Sequence, residues 1–124
     1  MEVTKQYFFD SYAVIEILKF NPNYLKYSNV NIVITTFNLV EICWSVLLDF
    51  GEEKMQEIYN RFKDCVYELD EPVIINAIKF RKKYKNRDLS YTDCIGYIFA
   101  KQNNLIFLTG DKEFKDLPNV EFVK

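Results

Sequence analysis

Short segments rich in large apolar residues alternate with amphipathic stretches along the chain. The apolar segments fall at residues 3–9, 31–35, 65–69, 105–109 and 120–123, and the one at 105–109 has the form of a strand buried on both faces. Between them, apolar residues recur with the helical period of 3.6, as in Leu39, Val40, Cys43, Val46, Leu47 and Phe50. Strands that alternate with helices predict one mostly parallel sheet, covered by helices on both faces.

Capping and breaking residues divide the helical stretches. Asp10 and Ser11 are predicted to cap a first helix, Asn38 to cap the long helix that Gly51 ends, and Ser90 to begin the last one. The predicted helices cover residues 12–18, 24–28, 38–50, 52–64, 70–84 and 90–102.

Acidic residues lie close to the ends of three predicted strands. Asp10 directly follows the first strand, Glu41 lies on the helix after the second, and Asp111 follows the central strand through Thr109 and Gly110. Asp93 opens the helix before the central strand. Because ligands of open α/β sheets bind outside the carboxyl ends of the strands, we expect these four acids to converge there.

Each acid also has a purely structural interpretation. Asp10 could only cap a helix, Asp93 stands in a capping-box relation to Ser90, and Glu41 would occupy the third position of a helix capped by Asn38. The set favours chemistry, because two carboxylates ~5 Å apart repel by on the order of 3 kcal/mol at an effective dielectric of 20. Four acids at one edge therefore predict a bound cation.

Composition excludes several classes of enzyme. The 124 residues include no histidine and only three glycines. The chain thus lacks the commonest general base and the usual zinc ligand, and it cannot form a Walker loop or a GxGxxG fingerprint. Carboxylates must carry any hydrolysis, and oxygen ligands without histidine or thiolate suit Mg²⁺ or Mn²⁺.

Length and hydropathy complete the general picture. A hydrophobic content of 49% over 124 residues predicts a single domain, residues 1–124. Cysteines 43, 65 and 94 are odd in number and far apart, which favours reduced thiols. No apolar run approaches the ~20 residues of a membrane span and no signal peptide is recognisable, so a cytoplasmic location without membrane attachment is expected.

Four motifs in order give the chain a family resemblance. They are Phe8-Phe9-Asp10-Ser11, the segment from Thr35 to Glu41, Leu89 to Ala100 around Asp93, and Phe107 to Phe114 around Asp111. The chain resembles a PIN domain of the VapC toxin type over nearly its whole length. The resemblance implies a three-layer α/β/α sandwich, a Mg²⁺ or Mn²⁺ site, RNA cleavage and a cognate antitoxin.

The resemblance also assigns roles to residues. It maps the catalytic and metal-binding acids onto Asp10, Glu41, Asp93 and Asp111, with Thr109 as the accompanying hydroxyl. Supporting roles are open to Ser11, Glu113 and Asp116, although Ser11 could equally be a capping hydroxyl and a solvated turn is the favoured interpretation of Glu113 and Asp116. The only basic cluster could hold RNA near the site, although a solvated helix end is the simpler interpretation of any one member; it contains Lys82, Lys83, Lys85 and Arg87, with Tyr84 available for stacking.

The functional prediction is a metal-dependent endoribonuclease, the toxin of a type II toxin–antitoxin pair, which could itself be a homodimer. A catalytically inactive PIN-like interaction module and a PIN-type nuclease of RNA processing remain as alternatives. A partner's hydrophobic segment is expected to dock in an exposed groove near the site, where Trp44 and Tyr12 lie; both rings could instead belong to the core. A receiver-like phospho-acceptor fits poorly, because it would pair two acids after the first strand.

Overall fold

The structure is a computed structural model that describes residues 4–124; position 3 of the predicted first strand lies outside the described residues. Within residues 4–124 the first strand is followed by five α-helices in succession and then by two strands, so helices and strands alternate less than the apolar pattern predicts. In chain order they are β1 (Tyr7–Phe9), α1 (Ser11–Leu18), α2 (Thr36–Phe50), α3 (Glu52–Phe62), α4 (Glu71–Lys83), α5 (Tyr91–Gln102), β2 (Ile106–Thr109) and β3 (Val120–Phe122). Short 3₁₀ helices lie at Pro22–Tyr27, Lys63–Cys65 and Lys112–Phe114.

The sheet is parallel, with β2 between β1 and β3. The predicted central position of the 105–109 segment is therefore correct. The prediction of full strands at 31–35 and 65–69 is wrong, because these segments contribute only a parallel bridge between Ile34 and Val66. The Phe9 N–H donates to the Val33 carbonyl at 2.9 Å, which joins this bridge to the sheet beside β1. The extended part of each segment is short, because α2 begins at residue 36 and a 3₁₀ helix ends only at residue 65.

Alternate residues of the strands point to opposite layers of helices. Phe9 and Leu108 pack with buried residues of α1, α2 and α3. Phe8 and Phe107 pack with buried residues of α4 and α5. Helices therefore cover both faces of the sheet, and the predicted three-layer α/β/α sandwich is confirmed.

The start of α2 differs from the prediction. Thr35, not Asn38, is the N-cap, and the Thr35 N–H donates to Asn38 Oδ1 at 3.0 Å in a reciprocal capping box. Thr35 takes this place because its backbone is extended and its hydroxyl reaches the third residue of the helix. Glu41 consequently lies in the second turn of α2. The interpretation of Glu41 as a residue of the capping box is wrong, because Asn38 takes that position.

Two further predictions concern the cysteines and the membrane. The three cysteines are free thiols, and Cys43 and Cys94 are buried in the core. Within residues 4–124, none of the helices combines the length and the apolar content that a membrane crossing requires.

Candidate active site

Asp10 lies at the carboxyl end of β1 and is almost fully buried, with 3% of its surface exposed. Its Oδ1 accepts the Ser11 N–H at 2.9 Å, and its Oδ2 accepts the Thr109 hydroxyl at 2.7 Å. The first bond caps α1, and the second joins the ends of β1 and β2. Both carboxylate oxygens are thus held in fixed positions at the edge of the sheet.

Asp111 is connected to Asp10 through Thr109. The Asp111 N–H donates to Thr109 Oγ1 at 3.0 Å, and the same hydroxyl donates to Asp10. Asp111 also caps the next 3₁₀ helix, because its Oδ1 accepts the Glu113 N–H at 3.0 Å. Gly110 permits this close arrangement, since a Cβ at that position would collide with the Tyr12 ring and the Val123 carbonyl oxygen.

Glu41 reaches the same edge from α2. Its Oε1 accepts the Ser11 hydroxyl at 2.7 Å, and Ser11 directly follows Asp10. The Ser11 oxygen accepts in turn from Nδ2 of the fully buried Asn38 at 3.0 Å. Sequence reasoning missed the part of Asn38, although its spacing of three residues from Thr35 is a capping-box signal.

Asp93 is half-buried in the first turn of α5, three residues after the N-cap Ser90. The Ser90 N–H donates to Asp93 Oδ2 at 2.9 Å, and the Asp93 N–H donates to Ser90 Oγ at 3.0 Å. The structural role that the sequence allowed for Asp93 is therefore present. Its charge still acts on the site, as the pKa values of the carboxyl groups indicate.

The acids influence one another electrostatically. Burial raises the pKa of Asp10 to about 8, and repulsion from Asp93 and then Asp111 adds to the effect, against the hydrogen bonds from Thr109 and Ser11. Burial also raises the pKa of Asp93 to about 6, with repulsion from Asp111 and Glu41 acting in the same direction. The structure thus brings Asp93 within electrostatic reach of Asp10, Glu41 and Asp111, and Asp10 within reach of Asp111.

A divalent cation is compatible with this set of donors. Among residues 4–124, no three Asp, Glu or Cys side chains form a ready-made metal site. The donors at the edge are carboxylate and hydroxyl oxygens, which Mg²⁺ and Mn²⁺ prefer, and Mg²⁺ usually binds through only one or two carboxylates together with waters and substrate phosphates. Because the raised pKa values of Asp10 and Asp93 arise partly from mutual repulsion, a cation would also relieve that repulsion.

The two acids predicted to support the site, Glu113 and Asp116, have different surroundings. Glu113 contacts Asp111 through its backbone N–H. Asp116 is engaged elsewhere: Arg87 Nη1 and Nη2 donate to its two carboxylate oxygens at 2.7 and 3.0 Å, and this bonding holds the pKa of Asp116 below its ordinary value. Arg87 Nη1 also donates to the Glu113 carbonyl at 2.7 Å. Asp116 therefore pairs with arginine. Glu113 is two residues from Asp111 and so lies close to the carboxyl edge of the sheet that holds Asp10, Glu41, Asp93 and Asp111, hereafter the acid edge.

The predicted RNA-binding cluster lies at the end of α4 and in the following turn. Lys82, Lys83 and Lys85 are exposed, whereas Arg87 is occupied by Asp116 and Glu113. The Tyr84 ring packs on Phe80 with centroids 4.7 Å apart and lies 5.0 Å from the Arg87 guanidinium. The structure thus leaves the three lysines exposed to solvent, with Lys83 Nζ 5.5 Å from the centroid of the Tyr84 ring, and uses Tyr84 within the protein.

An apolar groove of about 450 Å³ runs between α2 and α3. Trp44, with 60% of its surface exposed, lines it together with Val40, Met55 and Tyr59. Thr36, at the amino end of α2, also lines the groove, which therefore begins close to the acid edge. The predicted exposure of Trp44 is correct, whereas Tyr12 is half-buried and packs against the core.

Several solved structures resemble this fold. They include a toxin–antitoxin complex from Klebsiella pneumoniae (18% identity, TM-score 0.73, covering 94% of this chain and 96% of that one). VapC20 of Mycobacterium tuberculosis, a sarcin–ricin loop cleaving toxin, gives 12% identity and a TM-score of 0.79 over 96% of this chain and 100% of that one. VapBC2 of Rickettsia felis, bound to a DNA fragment from its promoter, gives 19% identity and a TM-score of 0.69 over 95% of this chain and 98% of that one. At these identities the likeness establishes the fold.

Sequence comparison identifies the family. The search of curated proteins finds no match. The family model of the PIN domain matches residues 7–120, a range that contains Asp10, Glu41, Asp93 and Asp111. With the order of the strands and the likeness to solved VapC structures, this match establishes that the chain belongs to the PIN domain family.

Proposed function

We propose that this protein is a metal-dependent endoribonuclease and the toxin of a type II toxin–antitoxin pair. The observation that carries the proposal is the gathering of four acids at the carboxyl edge of the sheet, where the buried Asp10 is linked to Asp111 through Thr109 and, through its neighbour Ser11, to Glu41. The raised pKa values of Asp10 and Asp93 support it, because perturbed carboxyl groups that gather in this way are typical of catalytic sites. Membership of the PIN family and the fold shared with VapC toxins support the same function.

The chain's own residues would divide the work as follows. Asp10, Glu41, Asp93 and Asp111 would hold one or two Mg²⁺ or Mn²⁺ ions, and Thr109 and Ser11 keep two of these carboxylates in position by donating hydrogen bonds. A bound ion supplies Lewis-acid stabilisation of phosphate charge and a water of lowered pKa. The exposed Lys82, Lys83 and Lys85 would attract the RNA backbone.

The antitoxin is proposed to cover the groove between α2 and α3. Exposed Trp44 and Val40 would contact apolar side chains of its docking segment, and the groove's proximity to the acid edge would let a basic side chain of that segment pair with the carboxylates. The solved relatives include toxin–antitoxin complexes, which supports a partner of this kind.

The decisive experiment is cleavage of structured and unstructured RNAs with Mg²⁺, Mn²⁺ or EDTA, followed by mapping of the product ends. Cleavage with either metal and none in EDTA is expected. Melting curves with and without Mn²⁺ provide the control for binding, because a ligand raises stability by RT ln(1 + [L]/Kd). A protein that neither cleaves RNA nor gains stability from Mn²⁺ would instead be an inactive interaction module.

A further inference from the structure

Asn38 is a polar residue in an apolar place. It lies in the first turn of α2, its surface is 0% exposed, and its neighbours Leu39 and Ile42 belong to the hydrophobic core. A buried amide without hydrogen bonds destabilises the folded protein. The hydrogen bonds that Asn38 makes therefore explain its presence, and they run in two directions.

The orientation of the Asn38 amide is fixed by its partner Thr35. The backbone N–H of Thr35 can only donate, and it lies 3.0 Å from one terminal atom of the amide, which must be the oxygen. The Thr35 hydroxyl donates to the same oxygen at 2.8 Å. The amide nitrogen consequently points the other way, to Ser11 Oγ at 3.0 Å.

This orientation determines where the Ser11 proton goes. A hydroxyl has one proton, and the Ser11 oxygen already accepts from Asn38. The proton is therefore directed to Glu41 Oε1, 2.7 Å away, in a charge-assisted hydrogen bond. A serine without this neighbour could turn its hydroxyl away from Glu41.

We infer that Asn38 is a positioning residue for the proposed active site: acting through Ser11, it holds the Glu41 carboxylate in place. The inference rests on the proposed function, since it gives Asn38 a part in metal binding. It also separates two roles of one side chain, because the oxygen serves the cap of α2 and the nitrogen serves the site.

The first test measures Mn²⁺ affinity of the protein alone, by calorimetry, in a double-mutant cycle of Asn38→Ala and Ser11→Ala. Residues that orient metal ligands typically contribute 10–100-fold to affinity, so each single variant should raise Kd by about tenfold or more. Because Asn38 acts through Ser11, the two effects should not multiply. The Kd of the double variant for Mn²⁺ should lie within about threefold of the Kd of whichever single variant binds more weakly. Multiplication of the two effects would overturn the inference.

Thr35→Val is the matched control. It removes the hydroxyl from the cap but keeps the Thr35 N–H that orients Asn38. The variant should unfold at a lower urea concentration and bind Mn²⁺ within about twofold of the parent. A loss of affinity as large as that of Asn38→Ala would assign the whole effect to the helix cap and contradict the inference.

The second test needs no metal. Side-chain couplings of Glu41, measured by NMR in the metal-free protein, should show one rotamer in the parent and in Thr35→Val, but averaged rotamers in Asn38→Ala and Ser11→Ala. Unchanged couplings in Asn38→Ala would refute the positioning role. If the parent binds no Mn²⁺ while Asn38→Ala does release Glu41, the proposed function fails and the positioning role stands.

Discussion

Replacing Asp10 by Asn tests the electrostatic description of the site most directly. In the metal-free protein the pKa of Asp10 is about 8, against an ordinary value of 3.8. Between these two values the folded protein keeps a proton that the unfolded chain releases, so folding stability falls as pH rises through this interval. Asn carries no titratable proton, so the Asp10→Asn protein does not lose this part of its folding stability as pH rises.

The expected size follows from the same pKa values. At pH 7 the unfolded Asp10 lies 3.2 pH units above its ordinary pKa of 3.8, which at 1.36 kcal/mol per unit costs the parent on the order of 4 kcal/mol. Asn keeps an oxygen for the Ser11 N–H, but its amide must donate to Thr109 Oγ1 and leaves the Thr109 proton without its acceptor. That change costs about 1 kcal/mol. The net expectation is a gain on the order of 3 kcal/mol at pH 7 and a loss of roughly 0.5 kcal/mol at pH 4, where the unfolded Asp10 is already partly ionised.

Urea unfolding of both proteins in EDTA, at pH 4 and pH 7, measures this double difference. The comparison reports on Asp10 and its repulsion from Asp93 and Asp111, because every titrating group outside this set has the same surroundings in both proteins. RNA cleavage in Mn²⁺ is measured beside it and should fall by orders of magnitude, since each 1.36 kcal/mol of lost transition-state stabilisation is tenfold in rate. An equal stability difference at the two pH values would refute the raised pKa, and full cleavage by Asp10→Asn would end the assignment of Asp10 to the active site.

Three further predictions follow from the structure. Asp93→Asn should also stabilise the metal-free protein, with the gain developing from about pH 4 to 6 because the pKa of Asp93 is about 6, and should abolish cleavage; a gain that continued to grow above pH 7 in urea titrations would contradict the assignment. Arg87→Asp should raise the pKa of Asp116 in carboxyl NMR titrations, and adding Asp116→Arg should restore the thermal midpoint; no recovery would show that this ion pair is inert. Gly110→Ala should lose roughly 2–3 kcal/mol of stability to urea, because its Cβ collides with backbone at Val123; an unaffected midpoint would mean that this turn can shift freely.

Local signals in the sequence were sufficient for the central strand and the acid edge. The 105–109 segment pairs on both sides, and the acids of β1 and β2 meet there because parallel strands end at the same edge. Capping motifs were also informative: Asp10 caps α1 and Ser90 begins α5 with Asp93 in its capping box. The caps depend on neighbours within four residues, and each strand is signalled by its own apolar run; the meeting of the distant acids then follows from the general rule for parallel sheets.

The failures have non-local causes. The segment around Ile34 is as apolar as a strand, yet its pairing depends on how far the chain at Val66 stays extended after a preceding 3₁₀ helix. Arg87 looked free for RNA, but its partner Asp116 is 29 residues away. Asn38 looked like a cap, and only the folded positions of Ser11 and Thr35 reveal that its two amide atoms have different partners.

Three of the four acids at the edge also cap helical turns, and this has a consequence for how the gene can change. Asp10, Asp93 and Asp111 each accept a backbone N–H that asparagine could satisfy as well. One transition in an aspartate codon makes that replacement, so, under the proposed function, a lineage released from selection for toxicity would lose cleavage in a single step and still encode a folded chain. Inactive descendants that keep their strands and helices are therefore an easy evolutionary destination for this sequence.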